Sequence, residues 1–243
     1  MSSSRSTHIS QQRVPWNLRD MLLASAASIG LGLLGITFIV GGSLLWETAG
    51  LPAPSQSTRL LGVFSLEAIL LIPAWVWGPG KYGGGWKALG FRSCNLRQTA
   101  ILWGKAFLSI LAINIGWEWT RRRLGIPGQP DYLPLFGKGL GGLFLALLLG
   151  AIIAPIAEET FFRGYLYAGL RSLWGPSKGI VLSAAIFAAV HILPGVLFPI
   201  FLIGLVLAWL YERTGSLWPS IVLHGAMNAL AFLASYFAKQ FPT

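Results

Sequence analysis

The chain has 243 residues, 54% of them apolar and only 11% charged, with a mean hydropathy of +0.65. Soluble chains carry about 25% charged residues, so soluble globular, collagenous, disordered and disulfide-dense secreted classes are excluded and an integral membrane protein remains. The net charge of +10, from 18 Lys+Arg against 8 Asp+Glu, sits at the edges of apolar runs and points to anionic headgroups rather than nucleic acid, while the single cysteine, Cys94, allows no internal disulfide and no cysteine-built metal site.

Taken in chain order, residues 1–20 form a basic, Ser-rich tail with a lone acid, Asp20. The apolar run that follows is longer than a signal-peptide core of about 7 to 15 residues and reads as a retained first span. Apolar runs punctuated by Gly, Pro and charge predict seven helices, at 21–45, 60–77, 99–117, 140–171, 179–192, 195–211 and 217–237, with an eighth left open. The fifth and sixth are short, and two prolines near their junction suggest a kinked or partly submerged segment. The stretch 78–95 mixes Lys81, Trp86, Lys87, Phe91 and Arg92 with glycine, a composition suited to the headgroup region. The fold class expected is an all-α polytopic membrane bundle, divided as a cytoplasmic tail 1–20, N-terminal helices and loops 21–138, a core 139–238 and a C-terminal tail 239–243. With the N-terminus inside, ten basic residues fall on that side and six on the other, which favours a cytoplasmic N-terminus. Arg121, Arg122 and Arg123 argue the other way.

Ionisable groups within a span cost several kcal/mol and are functional suspects by default. Glu67 and Lys105 lie near helix ends and read as structural. Glu158 lies 13 residues before Arg171, His191 lies 13 after Lys178 and His224 lies 11 after Arg213, which at the helical rise places all three roughly 16 to 20 Å from one membrane face. His224 and Asn228 share a helix face, as do Phe187 and His191, and Glu159 and Arg163 have the spacing of an intrahelical ion pair. The side chains of Glu158 and Glu159 point about 100° apart, so one can pair with Arg163 while the other faces a cavity. A carboxylate and an imidazole can make a water nucleophilic, and a second imidazole with a carboxamide can hold a tetrahedral oxyanion. That inventory points to peptide-bond hydrolysis within the membrane.

At these residues the sequence resembles a known family. The strings Glu158-Glu159-Thr-Phe-Phe-Arg163, Phe187-Ala-Ala-Val-His191 and His224-Gly-Ala-Met-Asn228 match, in order, the EExxxR, FxxxH and HxxxN motifs of the CAAX protease and bacteriocin-processing (CPBP, or Abi) intramembrane proteases. The resemblance covers about residues 140–228. It implies that Glu158 and His191 activate water, that His224 and Asn228 form the oxyanion site, and that Glu159, Arg163 and Phe187 support them. It further implies an endopeptidase of the type II CAAX prenyl class, acting on a membrane-associated and in some relatives lipid-modified protein or peptide, with membrane lipid as surroundings and no nucleic-acid partner. A metal-free glutamate mechanism is favoured, with no cofactor. The alternative is zinc held by Glu158, His191 and His224, for which three separate helices and no local chelating pair make a poor site. From a different class, a non-catalytic immunity or scaffold protein would use the same polar residues to hold helices together.

Overall fold

The computed structural model describes residues 13–50 and 69–240, and no β-strand occurs among them. We number the helices α1 (Leu18–Thr48), α2 (Leu71–Val76), α3 (Pro79–Tyr82), α4 (Gly85–Ala88), α5 (Leu96–Leu124), α6 (Gly139–Trp174), α7 (Pro176–Ala189), α8 (Pro194–Thr214) and α9 (Trp218–Gln240). Five of them, α1, α5, α6, α8 and α9, are long and apolar enough to cross a membrane, so the protein is an all-α membrane bundle. Most of the helix expected at 60–77, with Glu67, lies outside the described residues, and α2 is its described end. The helix expected at 179–192 is α7, only 14 residues long, which spans about 21 Å of a hydrocarbon core about 30 Å thick.

Local chemistry sets the helix ends. Asn95 caps α5 by accepting the Gln98 amide at 3.1 Å, as an N-cap side chain should. Gly125 and Gly215, with φ of 66° and 67°, end α5 and α8 in the left-handed conformation, and Pro176 and Pro194 occupy first-turn positions that need no amide donor.

The longest helix is not regular. Within α6 the backbone widens into π-helix at Leu149–Ile153 and again at Thr160–Tyr167. Pro155 explains the first, because it has no N–H to return to the Ala151 carbonyl and its ring crowds that turn. The opened carbonyl is where α9 comes closest: a Cβ on Gly225 would sit 2.3 Å from Ala151 O. At the second, the Thr160 hydroxyl donates to Ile156 O at 2.6 Å, a carbonyl that also accepts the Thr160 amide.

Around α6 the other helices close in. Helices α7 and α8 form a tight hairpin with Gly204 against Ala184, and α5 buries Ala106 and Ile110 against Leu207 and Leu210 of α8 and Leu223 of α9. The stretch 78–95, expected at the headgroups, also packs on the helices. Its 89–92 loop caps the α8–α9 turn, with Leu217 N donating to Gly90 O at 2.8 Å and Ser216 Oγ to Arg92 O at 2.6 Å. Gly90, at φ +96°, leaves room for the Tyr211 hydroxyl, which would lie 2.5 Å from a Cβ there. Residues 14–20, placed by sequence in the tail, are also docked: Val14 N donates to Ser172 Oγ at 3.1 Å, and α1 already starts at Leu18.

Candidate active site

The second π segment and the helix turn before it carry the acidic end of the site. Glu159 is fully buried and takes two donors on one oxygen, Arg163 Nη1 at 2.8 Å and His224 Nδ1 at 2.9 Å. The spacing-based ion pair is therefore present. The bond to His224 was not visible in sequence, because it depends on how far α9 slides along α6, which the Gly225–Ala151 approach sets. Arg163, 1% exposed, also stacks over Phe187 with its guanidinium carbon 4.1 Å from the ring centroid, so the motif phenylalanine shields a buried cation. Phe187 in turn meets Phe162, His191 and His224 edge to face, at 5.1, 4.8 and 6.0 Å between centroids.

Glu158 points elsewhere, as adjacent helical positions must. Its side chain keeps 17% exposure and its Oε2 lies 4.0 Å from His224 Nε2, beyond a direct hydrogen bond. His191 sits in the turn after α7 with Nδ1 2.8 Å from Phe187 O, and the residue after it, Ile192, is the one non-glycine with positive φ (59°) among the described residues. A β-branched side chain in that region is strained and persists only where its surroundings hold it. Asn228 Nδ2 donates to Gly150 O at 2.8 Å, a carbonyl inside the first π segment. Sequence reasoning missed Gly150, Pro155 and Gly225, although a proline inside an otherwise continuous helical run was a legible signal.

The seven residues thus come together on α6, α7 and α9 in two groups. Glu158, His191, His224 and Asn228 are each partly accessible; Glu159, Arg163 and Phe187 are buried. Among the described residues no ion pair joins Glu158 to His191, and no three His, Cys, Asp or Glu side chains converge with metal-holding geometry. The zinc set Glu158, His191 and His224 does not fit a metal as arranged.

With that geometry in view, the chain can be placed among known proteins. Residues 140–230 match the Rce1-like family, described as type II CAAX prenyl endopeptidase Rce1-like. The matched stretch begins in the first turn of α6 and ends just past Asn228, so it holds all seven residues and bears out the resemblance seen in the motifs. The chain is also similar to the "Uncharacterized 24.3 kDa protein" of Escherichia coli, 29% identical over 147 residues, 57% of this chain and 66% of that protein. To the UPF0177 protein YxdF of Lactococcus lactis subsp. lactis (strain IL1403) it is 27% identical over 78 residues, 32% of this chain and 42% of that protein. The chain thus covers less than two thirds of the length of either relative, and neither name states an activity. No solved structure matches the chain. The five apolar spans support an integral membrane protein, and residues 140–230 are similar to a family described as prenyl endopeptidases.

Proposed function

We propose that the protein is an intramembrane endopeptidase that hydrolyses a peptide bond in a membrane-associated protein or peptide. The supporting observation is the division of exposure: the four residues assigned to chemistry are partly accessible, and the three assigned to support are buried at 0% for Glu159, 1% for Arg163 and 2% for Phe187. In this reading the Glu158 carboxylate takes a proton from water as the oxygen adds to the scissile carbonyl. His191, donating from Nδ1 to Phe187 O, keeps its Nε2 lone pair to hold that water. Glu159 fixes the His224 ring through Nδ1, so that in the doubly protonated ring Nε2–H donates to the tetrahedral oxyanion, and the second amide N–H of Asn228 does the same. Glu158 then returns its proton to the leaving nitrogen, and the bond breaks into carboxylate and amine.

In this reading the protein's own side chains activate the water. Activity that survives chelation in protein with substoichiometric zinc supports it, and one zinc per chain that tracks activity reassigns Glu158, His191 and His224 as ligands. The functional test is quantitative proteomics of membranes from cells holding the wild-type or the Glu158→Gln form. Precursors that accumulate only with the variant support the protease. An unchanged profile across growth conditions favours the scaffold reading, for which the Glu159–His224 and Asn228–Gly150 bonds between α6 and α9 already provide a structural rationale.

The proposed orientation puts the N-terminus in the cytoplasm. Ties from Val14 to Ser172, Asp20 to Lys81 and Arg171 to Glu212 bring the residues counted as inside onto one face. On the opposite face Glu118 pairs with both Arg121 and Arg122, which offsets part of the contrary cluster. Cysteine labelling at Ser3 and Ser177 in a Cys94→Ser background checks it: an impermeant reagent added outside should reach neither.

A further inference from the structure

The face of the second π segment turned away from Glu159 and Arg163 is occupied by residues far from the 140–230 stretch. Trp16, 2% exposed, donates from Nε1 to Tyr165 O at 3.0 Å and stacks on the Tyr165 ring at 5.3 Å between centroids and 23° between planes. π segments inside α-helices are rare and frequent at functional sites, and the Tyr165 carbonyl here takes the Trp16 donor in addition to the Ala168 amide. The fit behind the segment is close at three further points. A Cβ on Gly164 would lie 2.4 Å from Leu89 O, one on Gly169 would lie 2.4 Å from Met21 Sδ and 3.0 Å from Trp16 Nε1, and one on Gly78 would lie 3.2 Å from the Tyr165 ring.

Trp16 is itself held. Four residues on, Asp20 is 1% exposed and accepts Lys81 Nζ at 2.6 Å, Tyr82 Oη at 2.7 Å and Asn17 N at 3.1 Å. Lys81 and Tyr82 belong to α3, which follows the α2 segment that packs on the same side of α6. The start of α1, α3 and the 89–92 loop therefore form a brace against which the π segment rests. Tyr165 lies two residues after Arg163 and six after Glu159, whose Oε1 accepts both Arg163 Nη1 and His224 Nδ1.

We infer that the brace built by Trp16 and the Asp20–Lys81–Tyr82 cluster is a positioning element for the site, which sets the angle at which α6 presents Glu159, held by Arg163 of the π segment, to His224. Trp16 touches no reacting atom; it acts through Tyr165 O and the segment that carries it. The inference rests on the protease reading for its effect on turnover, but its structural half stands apart from it.

The test uses full-length protein in lipid nanodiscs with histidines labelled with ¹⁵N, and His224→Gln assigns the His224 signals. Trp16→Phe keeps the stacked ring and deletes only the N–H. Expected are a shift of the His224 Nδ1 signal, a melting temperature within a few degrees of wild type, and a fall in kcat of about three- to tenfold, the worth of one net hydrogen bond, with KM unchanged. Tyr82→Phe, which removes one donor from Asp20 at a partly exposed position, should give a smaller shift in the same direction and serves if Trp16→Phe folds poorly. An unmoved His224 signal in both variants, whatever happens to melting temperature, overturns the inference and leaves the brace as an anchor for α1. If wild type shows no peptide hydrolysis, the protease reading fails while the His224 signal still decides whether the brace positions the ring.

Discussion

Helices α5 and α6 are both long enough to cross a membrane, yet they do different work. Of the most apolar window of α6, 44% is buried inside the protein, against 11% for α5. Helix α5 runs 29 residues without a break, and its one charge in mid-span, Lys105, is exposed. Helix α6 is interrupted twice by π-helix and carries both glutamates and Arg163. The helix that carries most of the candidate site is the one whose regularity is broken. A regular helix repeats its contacts every 3.6 residues and can satisfy itself in lipid, whereas the widened turns here also accept bonds from neighbours, Asn228 at Gly150 and Trp16 at Tyr165.

The largest effect that would sharpen this contrast is at the buried pair. Glu159→Gln leaves Arg163 without its countercharge and weakens the hold on His224, so stability should fall by about 3 to 5 kcal/mol, the cost of breaking a buried pair. Turnover per folded molecule should fall too. Melting in detergent and turnover on the folded fraction measure both. Next is Glu158→Gln, expected to cost at least about a hundredfold in turnover, the lower range for a general base, with melting temperature unchanged. If the two variants exchange behaviours, Glu159 is the base and Glu158 the support.

A glycine pair then tests the helices directly. Gly164→Ala in α6 must push its Cβ against the Leu89 carbonyl and should lose about 1 to 3 kcal/mol. Gly116→Ala in α5 meets nothing within 4 Å and should be neutral or gain up to about 1 kcal/mol from helix propensity. Equal effects at the two sites would erase the distinction between a packed and a lipid-facing helix.

The smallest effect concerns the loop that joins them. Asp131 is pushed up by partial burial, but bonds from Lys239, Ser235 and the Leu133 amide outweigh that and hold its carboxyl below the usual value. A carboxylate whose folded pKa is depressed contributes stability above its unfolded value near 3.9 and loses it as pH falls through the folded one. Wild type should therefore melt slightly above Asp131→Asn at pH 7, with the gap closing below about pH 4. The pair is 49% and 40% exposed, so the gap should correspond to less than about 1 kcal/mol.

Much of this was legible in the residues themselves. Composition and run lengths determine that the chain is a helical membrane bundle, since lipid admits only helices and closed barrels and apolar runs of about 20 residues fit helices. The Glu159–Arg163 pair follows from i,i+4 spacing, and the divergence of Glu158 from Glu159 follows from the helical turn; both are local rules that hold whatever the neighbours do. Depth counting was less secure: His224 was measured from Arg213, but α9 begins at Trp218 under the 89–92 loop, so it lies only six residues into its helix. Tertiary structure alone decided that His224 bonds Glu159, that Asn228 bonds Gly150, and that residues 14–20 and 78–95, read as tail and headgroup segment, brace the back of the site. Those contacts depend on the relative slide and rotation of separate helices, which two π segments alter by fractions of a turn, and no sequence period carries that information.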